Sequence, residues 1–427
     1  MSEQPGTVDE KLAVQDEILI SLPHEMPVLS LFKETSVVEA VERNEILGIA
    51  RVRLKDLRTA ADHISGQVLA LQRRKPELAW PKPSDQLDQV LSGLRFLLAD
   101  RYATWQPTIG KNRFVGQIDG EEIFSHGRIS HGGGEDPIPL PPQDWTPRGT
   151  GPGAGSRVGL LDTAIATLPW FSGGWVSAYT DRLLPDQAVS TRAGHATFIA
   201  GLILSQAPGA TIDVRQVLDA NTATADSWDT AVKIVEIGQT GIDVLNLSFV
   251  CYTEDGQPPM ALAAAIDRLQ PTTVVVAAAG NHGQDRDPRV RNRPAWPAAL
   301  DDVIAVGAAK ASKELADFTP KRAPWIDVIA PGVNLHSTFL QGQIPIGSTK
   351  GAPGNFNGFA TWEGSSFAAA VVTGIIASGI QPDRVSARDS WRNILHSLPE
   401  PELTPDQYTP PYVAAEVPRL RKAPTNG

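Results

Sequence analysis

A serine, a histidine, an aspartate and an asparagine stand in settings where each could take part in acyl transfer. The stretch Gly364-Ser365-Ser366-Phe367-Ala368-Ala369-Ala370 is followed by the small apolar run Val371-Val372-Thr373-Gly374-Ile375-Ile376-Ala377. A hydroxyl pair after glycine here opens a helix so apolar that it must run through a core. The helix N-terminus, with free amides and the positive end of the dipole, favours negative charge on a serine oxygen. That displays a nucleophile, and it is also how a serine caps a buried helix. Three other stretches bear on the choice.

Val158-Gly159-Leu160-Leu161-Asp162-Thr163 is an apolar strand ending on a carboxylate, and in parallel α/β sheets the carboxyl ends of strands open into the ligand crevice. Asp162 is either at that crevice or an aspartate in an ordinary turn. Gly194-His195-Ala196-Thr197-Phe198-Ile199-Ala200-Gly201 sets a histidine in the first turn of an apolar helix capped by Thr191 or Gly194, as catalyst or as satisfied structure. Val274 to Ala279, then Gly280-Asn281-His282-Gly283, ends a strand of small residues on an asparagine. Asn281 either supplies a positive φ or points an amide at an oxyanion.

These residues need a frame. The chain has 427 residues, long enough for a catalytic domain of roughly 250 residues plus a smaller one. Its apolar and charged fractions, 41% and 20%, are ordinary, and the net charge of -10 argues against a nucleic-acid or anionic-membrane surface. Arg73-Arg74-Lys75 is too short a basic run to change that. One cysteine excludes an internal disulfide framework. The start Met1-Ser2-Glu3-Gln4-Pro5-Gly6 lacks a basic and then apolar secretory segment, and no apolar stretch reaches the roughly 20 residues of a membrane span. The expected location is cytoplasmic.

Residues 1–16 are read as a mobile N-terminus and residues 17–126 as a small mixed α+β domain. Within it, Glu17 to Leu22 and Pro27 to Phe32 suit strands, while Ser36 to Leu47 and Leu54 to Arg74 carry apolar residues at helical spacing. Ser84 fits an N-cap for a helix whose face is Leu87, Val90, Leu91, Leu94, Leu97 and Leu98. Arg113 to Phe124 reads as a hairpin turning at Asp119-Gly120. Residues 127–155 are a Gly/Pro-rich linker. His126 and His131 begin it without a partner set for a metal.

From residue 156 to 420 the texture is apolar runs separated by helical segments. Strands are expected at 158–161, 212–218, 243–249, 273–280, 303–309 and 326–330, and helices at 195–204, 227–238, 260–269 and 366–378. The fold class is therefore α/β, a doubly wound, mainly parallel sheet with helices on both faces. Residues 421–427 are a loose tail.

The order Asp162, His195, Asn281, Ser366, with the wording around each, resembles the subtilisin-like serine proteases, the subtilases, over about residues 156 to 380. Asp243 to Phe249, Pro294-Ala295-Trp296-Pro297, Val303 to Ala308 and Ile326 to Val333 also match family segments. The resemblance implies a serine endopeptidase: Ser366 as nucleophile, His195 as general base, Asp162 as its orienting carboxylate, and Asn281 with the Ser366 amide as oxyanion donors. It implies a peptide substrate added as a strand along Leu247, Ser248, Phe249 and Val250, with Ala279 and Gly280 opposite. Val250 and Cys251 stand where the family usually has glycines, which narrows the primary specificity pocket or tilts the peptide. Ser365, Phe367, Ala370, Ala196 and Phe198 also depart from the family's usual residues without removing a reacting group.

No cofactor is required. Asp285, Asp287, Asp301 and Asp302 could hold the calcium of many subtilases, but they form no ligand ladder. Cys251 is either a redox switch or buried and inert, and His282 is read as a loop residue. The N-terminal domain is either a propeptide, cut in the arm around Gly127 to Pro147, or a docking domain for a regulatory partner. The rival to an enzyme is a silent peptide-binding scaffold in which Phe249 and Val250 block turnover.

Overall fold

The computed structural model describes residues 12–33, 35–117, 136–142, 151–171, 173–184, 189–220, 222–285, 287–346, 353–404 and 407–417. The expected turn at Asp119-Gly120, His126, His131, most of the linker, and both termini lie outside the described residues. The chain divides into two compact units: Met1–Phe114 with Asp226–Val235 and Thr253–Arg268, and Val115–Ala225 with Glu236–Tyr252 and Leu269–Gly427. This differs from a simple split at the linker, because two later segments join the N-terminal residues.

In the first unit β1 (Ala13–Ser21) is followed by α1 (Glu25–Leu29), β2 (Val38–Asn44), β3 (Ile49–Leu54), α2 (Leu57–Arg74), α3 (Gln86–Arg101) and β4 (Ile109–Gln117). β1 is antiparallel to both β3 and β4, and β2 extends the sheet beyond β3. The apolar face predicted for α3 is buried in full and packs with Ile64 and Val68 of α2. Its cap is Asp85, one residue past Ser84, accepting from the Asp88 amide at 2.9 Å.

Two expectations fail here. Pro27 to Phe32 is helical, because its buried residues Val28, Leu31 and Phe32 fall at i, i+3 and i+4. Ser36 to Leu47 is largely strand β2 and the turn after it. The β-branched Val37, Val38 and Val41 suit a pleated ribbon, and the turn closes as Asn44 accepts from Leu47 N at 2.9 Å ahead of Gly48 at φ 73°. The later segments are joined by buried polar contacts. Asn112 accepts from the Ser227 hydroxyl at 2.9 Å and Trp228 N at 3.0 Å, and Lys111 meets Asp88 and Glu254.

The second unit begins with β5 (Ile138–Pro139), β6 (Arg157–Asp162), β7 (Trp175–Val176), α4 (His195–Gln206), β8 (Thr211–Gln216) and β9 (Thr224–Asp226). The chain then runs through α5 (Ser227–Gly238) and α6 (Met260–Asp267), which lie mostly or wholly in the first unit, and through β10 (Val244–Leu247), β11 (Phe249–Val250), β12 (Val274–Ala278), β13 (Val303–Ala309) and β14 (Val328–Pro331) of the second. Then come β15 (Leu335–Pro345), β16 (Pro353–Trp362), α7 (Ser365–Gly379) and α8 (Ala387–His396), followed by the short antiparallel pair β17 (Glu402–Leu403) and β18 (Tyr408–Thr409). Seven strands form one parallel sheet in the order β14-β13-β12-β10-β6-β8-β7. Such strands are covered on both faces, which is why they read as unbroken apolar runs. The antiparallel pair β15 and β16 was not foreseen. Its polar residues and register shift near Thr338 to Gln341 break the alternation that marks a hairpin.

α7 is buried on nearly every side and packs on β10, β12 and β13, and also on α4. Close approach of the two helices depends on Gly374, where an added Cβ would strike Gln206 and the Ile203 carbonyl. Gly201 of α4 faces β15 just as tightly: a Cβ there would crowd the hydroxyls of Ser337 and Thr338. Those hydroxyls donate to the Phe198 and Thr197 carbonyls at 2.7 and 2.8 Å, and so fasten the helix that begins with His195.

Alanine at an unconstrained helix glycine gains up to about 1 kcal/mol. Overpacking here costs about 1–3 kcal/mol and displaces two bonded hydroxyls, so it wins. Gly201→Ala is expected to lower the guanidinium unfolding midpoint; an unchanged or raised midpoint would contradict the packing described.

Candidate active site

Asp162 is the last residue of β6 and His195 the first of α4, and both are fully buried. The Asp162 oxygens lie 2.8 and 2.9 Å from His195 Nδ1. A carboxylate only accepts, so Nδ1 carries the hydrogen and Nε2 is left as the basic nitrogen. The Thr163 amide donates to Asp162 Oδ1 at 2.7 Å, and the Thr163 hydroxyl accepts from Ala196 N at 3.2 Å, so one residue braces both strand end and helix start. Trp362 meets the imidazole edge-on at 5.7 Å and Phe367 packs on it at 5.5 Å between ring centroids. Both rings cover the imidazole, and His195 Nε2 is buried without a hydrogen-bond partner among the described residues.

Ser366 is the second residue of α7, capped by Gly364 and not by a serine side chain. Its amide lies in the first turn, where no intrahelical acceptor exists. The Ser366 hydroxyl donates to the Ser248 carbonyl at 3.3 Å, and the Ser248 hydroxyl to the Ser366 carbonyl at 3.0 Å. The next residue, Phe367, is the ring against His195, while the Ser366 hydroxyl is bonded to Ser248 and not to His195 Nε2.

Asn281 has φ -115°, while Gly280 before it takes φ 85°, so the asparagine is not there for a left-handed backbone. Its Oδ1 accepts from the Ser365 amide at 2.9 Å. That bond fixes which end of the amide is which: Nδ2 faces the Gly364 turn, buried and without a partner. A buried, unpaired N–H is costly, and this one lies at the turn that opens α7. The structure thus brings Asp162, His195, Ser366 and Asn281 together at the carboxyl end of the sheet, with a base and a donor both unsatisfied.

Of the residues expected to line a substrate, Leu247 ends β10, Ser248 contacts Ser366, and Phe249 and Val250 form β11. Ala279 donates its amide to the Val306 carbonyl at 2.9 Å and leads into Gly280. The partner of β11 is the protein's own chain: Gly116 and Gln117 pair with it antiparallel, in the register Gln117 to Phe249 and Gly116 to Val250. On the other side Gln117 N donates to the Ala223 carbonyl at 2.9 Å. Residues 116 and 117 therefore lie as a strand between two others. Sequence reading missed this, since only a pairing between positions over a hundred residues apart reveals it.

Cys251 is buried, and its backbone exchanges hydrogen bonds with Trp296 at 2.8 and 2.9 Å. His282, read as a loop residue, opens a short 3-10 turn and is buried, bonded to the Tyr252 hydroxyl at 2.7 Å. Among the described residues no group of three or more His, Cys, Asp or Glu side chains is placed to hold a metal ion.

A family model described as the subtilase family matches residues 153–397. Subtilisin DY of Bacillus licheniformis is 32% identical over 208 residues, 44% of this chain and 68% of that protein. The major intracellular serine protease of Bacillus subtilis (strain 168) is 30% identical over 165 residues, 36% of this chain and 49% of that protein. Among solved structures, fervidolysin from Fervidobacterium pennivorans superposes with a TM-score of 0.52 at 17% identity, covering 86% of this chain and 55% of that one. That last likeness concerns the fold alone. With the matched segment spanning more than half its length, the chain belongs to the subtilase family of serine proteases.

Proposed function

We propose that this subtilase is an intracellular endopeptidase whose triad is Asp162, His195 and Ser366, and that its N-terminal residues restrain it by occupying the substrate strand's place. The observation that carries the first part is the pair of unsatisfied buried atoms, His195 Nε2 and Asn281 Nδ2, on either side of the start of α7. Turning about its Cα–Cβ bond frees the Ser366 hydroxyl from a long 3.3 Å contact, at little cost. Such bonds between nucleophile and base commonly tighten only when substrate is bound.

Attack by Ser366 Oγ on the scissile carbonyl then passes the hydroxyl proton to His195 Nε2, and Asp162 balances the imidazolium. The oxygen that becomes negative is received by Asn281 Nδ2 and the Ser366 amide. The same proton leaves with the amine, and water repeats the sequence to release the acyl group. No step needs a cofactor. The location is supported by the intracellular protease among the relatives and by the single cysteine.

The register of Gly116 and Gln117 supports restraint. A peptide continuing that register sets its next residue opposite Ser248, whose carbonyl contacts the Ser366 hydroxyl. The same pairing speaks against the scaffold reading, since Phe249 and Val250 do accept an extended chain. It also moves the expected cut from the arm at Gly127 to Pro147 to the few residues after Gln117.

A fluorophosphonate probe is expected to label Ser366 in the wild type and nothing at that position in Ser366→Ala; a folded wild type that never labels would sink the claim of activity. Asn281→Ala should lower kcat about 10²–10³-fold with little change in KM, the range that losing this kind of donor costs in subtilisin. Intact mass measurement should find wild type cut shortly after Gln117 and Ser366→Ala uncut. Two uncut proteins would instead favour a docking domain.

A further inference from the structure

We propose that Tyr252 and His282 are positioning residues that tie the substrate-lining segment to the loop carrying Asn281, so that peptide binding and oxyanion stabilisation are held in one geometry. This rests on the peptidase reading above and adds to it two side chains that touch none of the reacting atoms.

The argument starts from donors and acceptors. His282 Nε2 lies 2.9 Å from the Arg293 carbonyl, which can only accept, so Nε2 carries the hydrogen. Nδ1 is then a bare acceptor, and the Tyr252 hydroxyl donates to it at 2.7 Å. The rings meet edge-on with centroids 5.0 Å apart. The polarity of the chain Tyr252 to His282 to Arg293 has one solution. Burial keeps it so, lowering the His282 pKa from 6.5 to about 4 and raising that of Tyr252 well above its usual value. The stability drawn from a neutral His282 is whole above pH 6.5 and is lost as pH falls toward about 4.

The ends of this chain are joined again through the backbone. Tyr252 follows Cys251, which is paired with Trp296, and Arg293 lies three residues before Trp296. The imidazole therefore closes a ring between two segments already bridged. Asn281 directly precedes His282 in the chain, and Gly283 N just after it is fixed by the Phe318 carbonyl at 2.7 Å. Gly280 fits only because it lacks a side chain: a Cβ would stand 2.7 Å from His282 Nδ1 and 2.8 Å from the Tyr252 oxygen. The loop is thus packed directly onto the tether, which leaves Asn281 Nδ2 little freedom.

An oxyanion donor acts only when aimed, and a misplacement of about 1 Å costs on the order of 10²-fold in rate. Tyr252→Phe removes one hydroxyl and almost no volume. It should lower kcat about tenfold, keep KM within about twofold, and leave the acid limb of the kcat/KM profile at its wild-type pH, since His195 is untouched. His282→Asn keeps an acceptor for the Tyr252 hydroxyl and His282→Leu keeps none, so kcat should fall in the order wild type, Asn, Leu.

Fluorophosphonate labelling of each variant separates the possible failures. A wild type that takes up no probe overturns the peptidase reading and this proposal with it. A wild type that labels and turns over, beside a Tyr252→Phe protein with kcat within twofold and only a lower unfolding midpoint, overturns this proposal alone. So does a His282→Asn protein no better than His282→Leu.

Discussion

Asp162 and His195 meet where neither touches water, and that burial is the constraint the rest of the site serves. In a low dielectric a carboxylate needs a partner, and here it has an imidazole N–H and a backbone amide. The same burial sets the opposite nitrogen inside the protein as well, among aromatic rings. Both groups come from element ends, the last residue of β6 and the first of α4. Their separation is therefore set by how the helix lies on the sheet and not by any loop.

That placement depends on small residues. α4 sits against α7 and β15 through Gly374 and Gly201, positions where even a methyl group would collide. Between them α7 threads the core with Ala368, Ala369 and Ala370 facing in, which lets its first turn approach both His195 and Asn281. A bulkier helix would be pushed outward and would carry Ser366 with it. The composition that made this segment conspicuous, glycine and alanine between two serines and a run of valines and isoleucines, is the composition that close approach requires.

The catalytic unit was legible in the sequence because its strands are covered on both faces. Val274 to Ala278 and Val303 to Ala309 read as unbroken apolar runs ending on polar residues, and the site lies at those ends. The N-terminal unit was harder. Val28, Leu31 and Phe32 look like part of a strand until their helical spacing is seen, and Ser36 to Leu47 imitates a helix while Val38 and Val41 pair in a ribbon. The roles of Tyr252 and of Gly116 and Gln117 were not legible at all. Each depends on a partner far away in the chain, His282 for the tyrosine and β11 for the strand, and no local period encodes a pairing of that kind.

On the reading proposed above, the strand at Gly116 and Gln117 restrains access to the site. Backbone pairing with β11 asks little of side chains, so any extended peptide can compete for the place, and the protein's own segment competes from within the same molecule. A segment tethered within the same chain reaches an effective concentration in about the millimolar range. A free substrate at micromolar concentration with similar contacts loses that competition by about a thousandfold. Cutting the chain just beyond Gln117 would not by itself open the site, because β4 remains paired with β1 and the freed end stays in register with Phe249 and Val250.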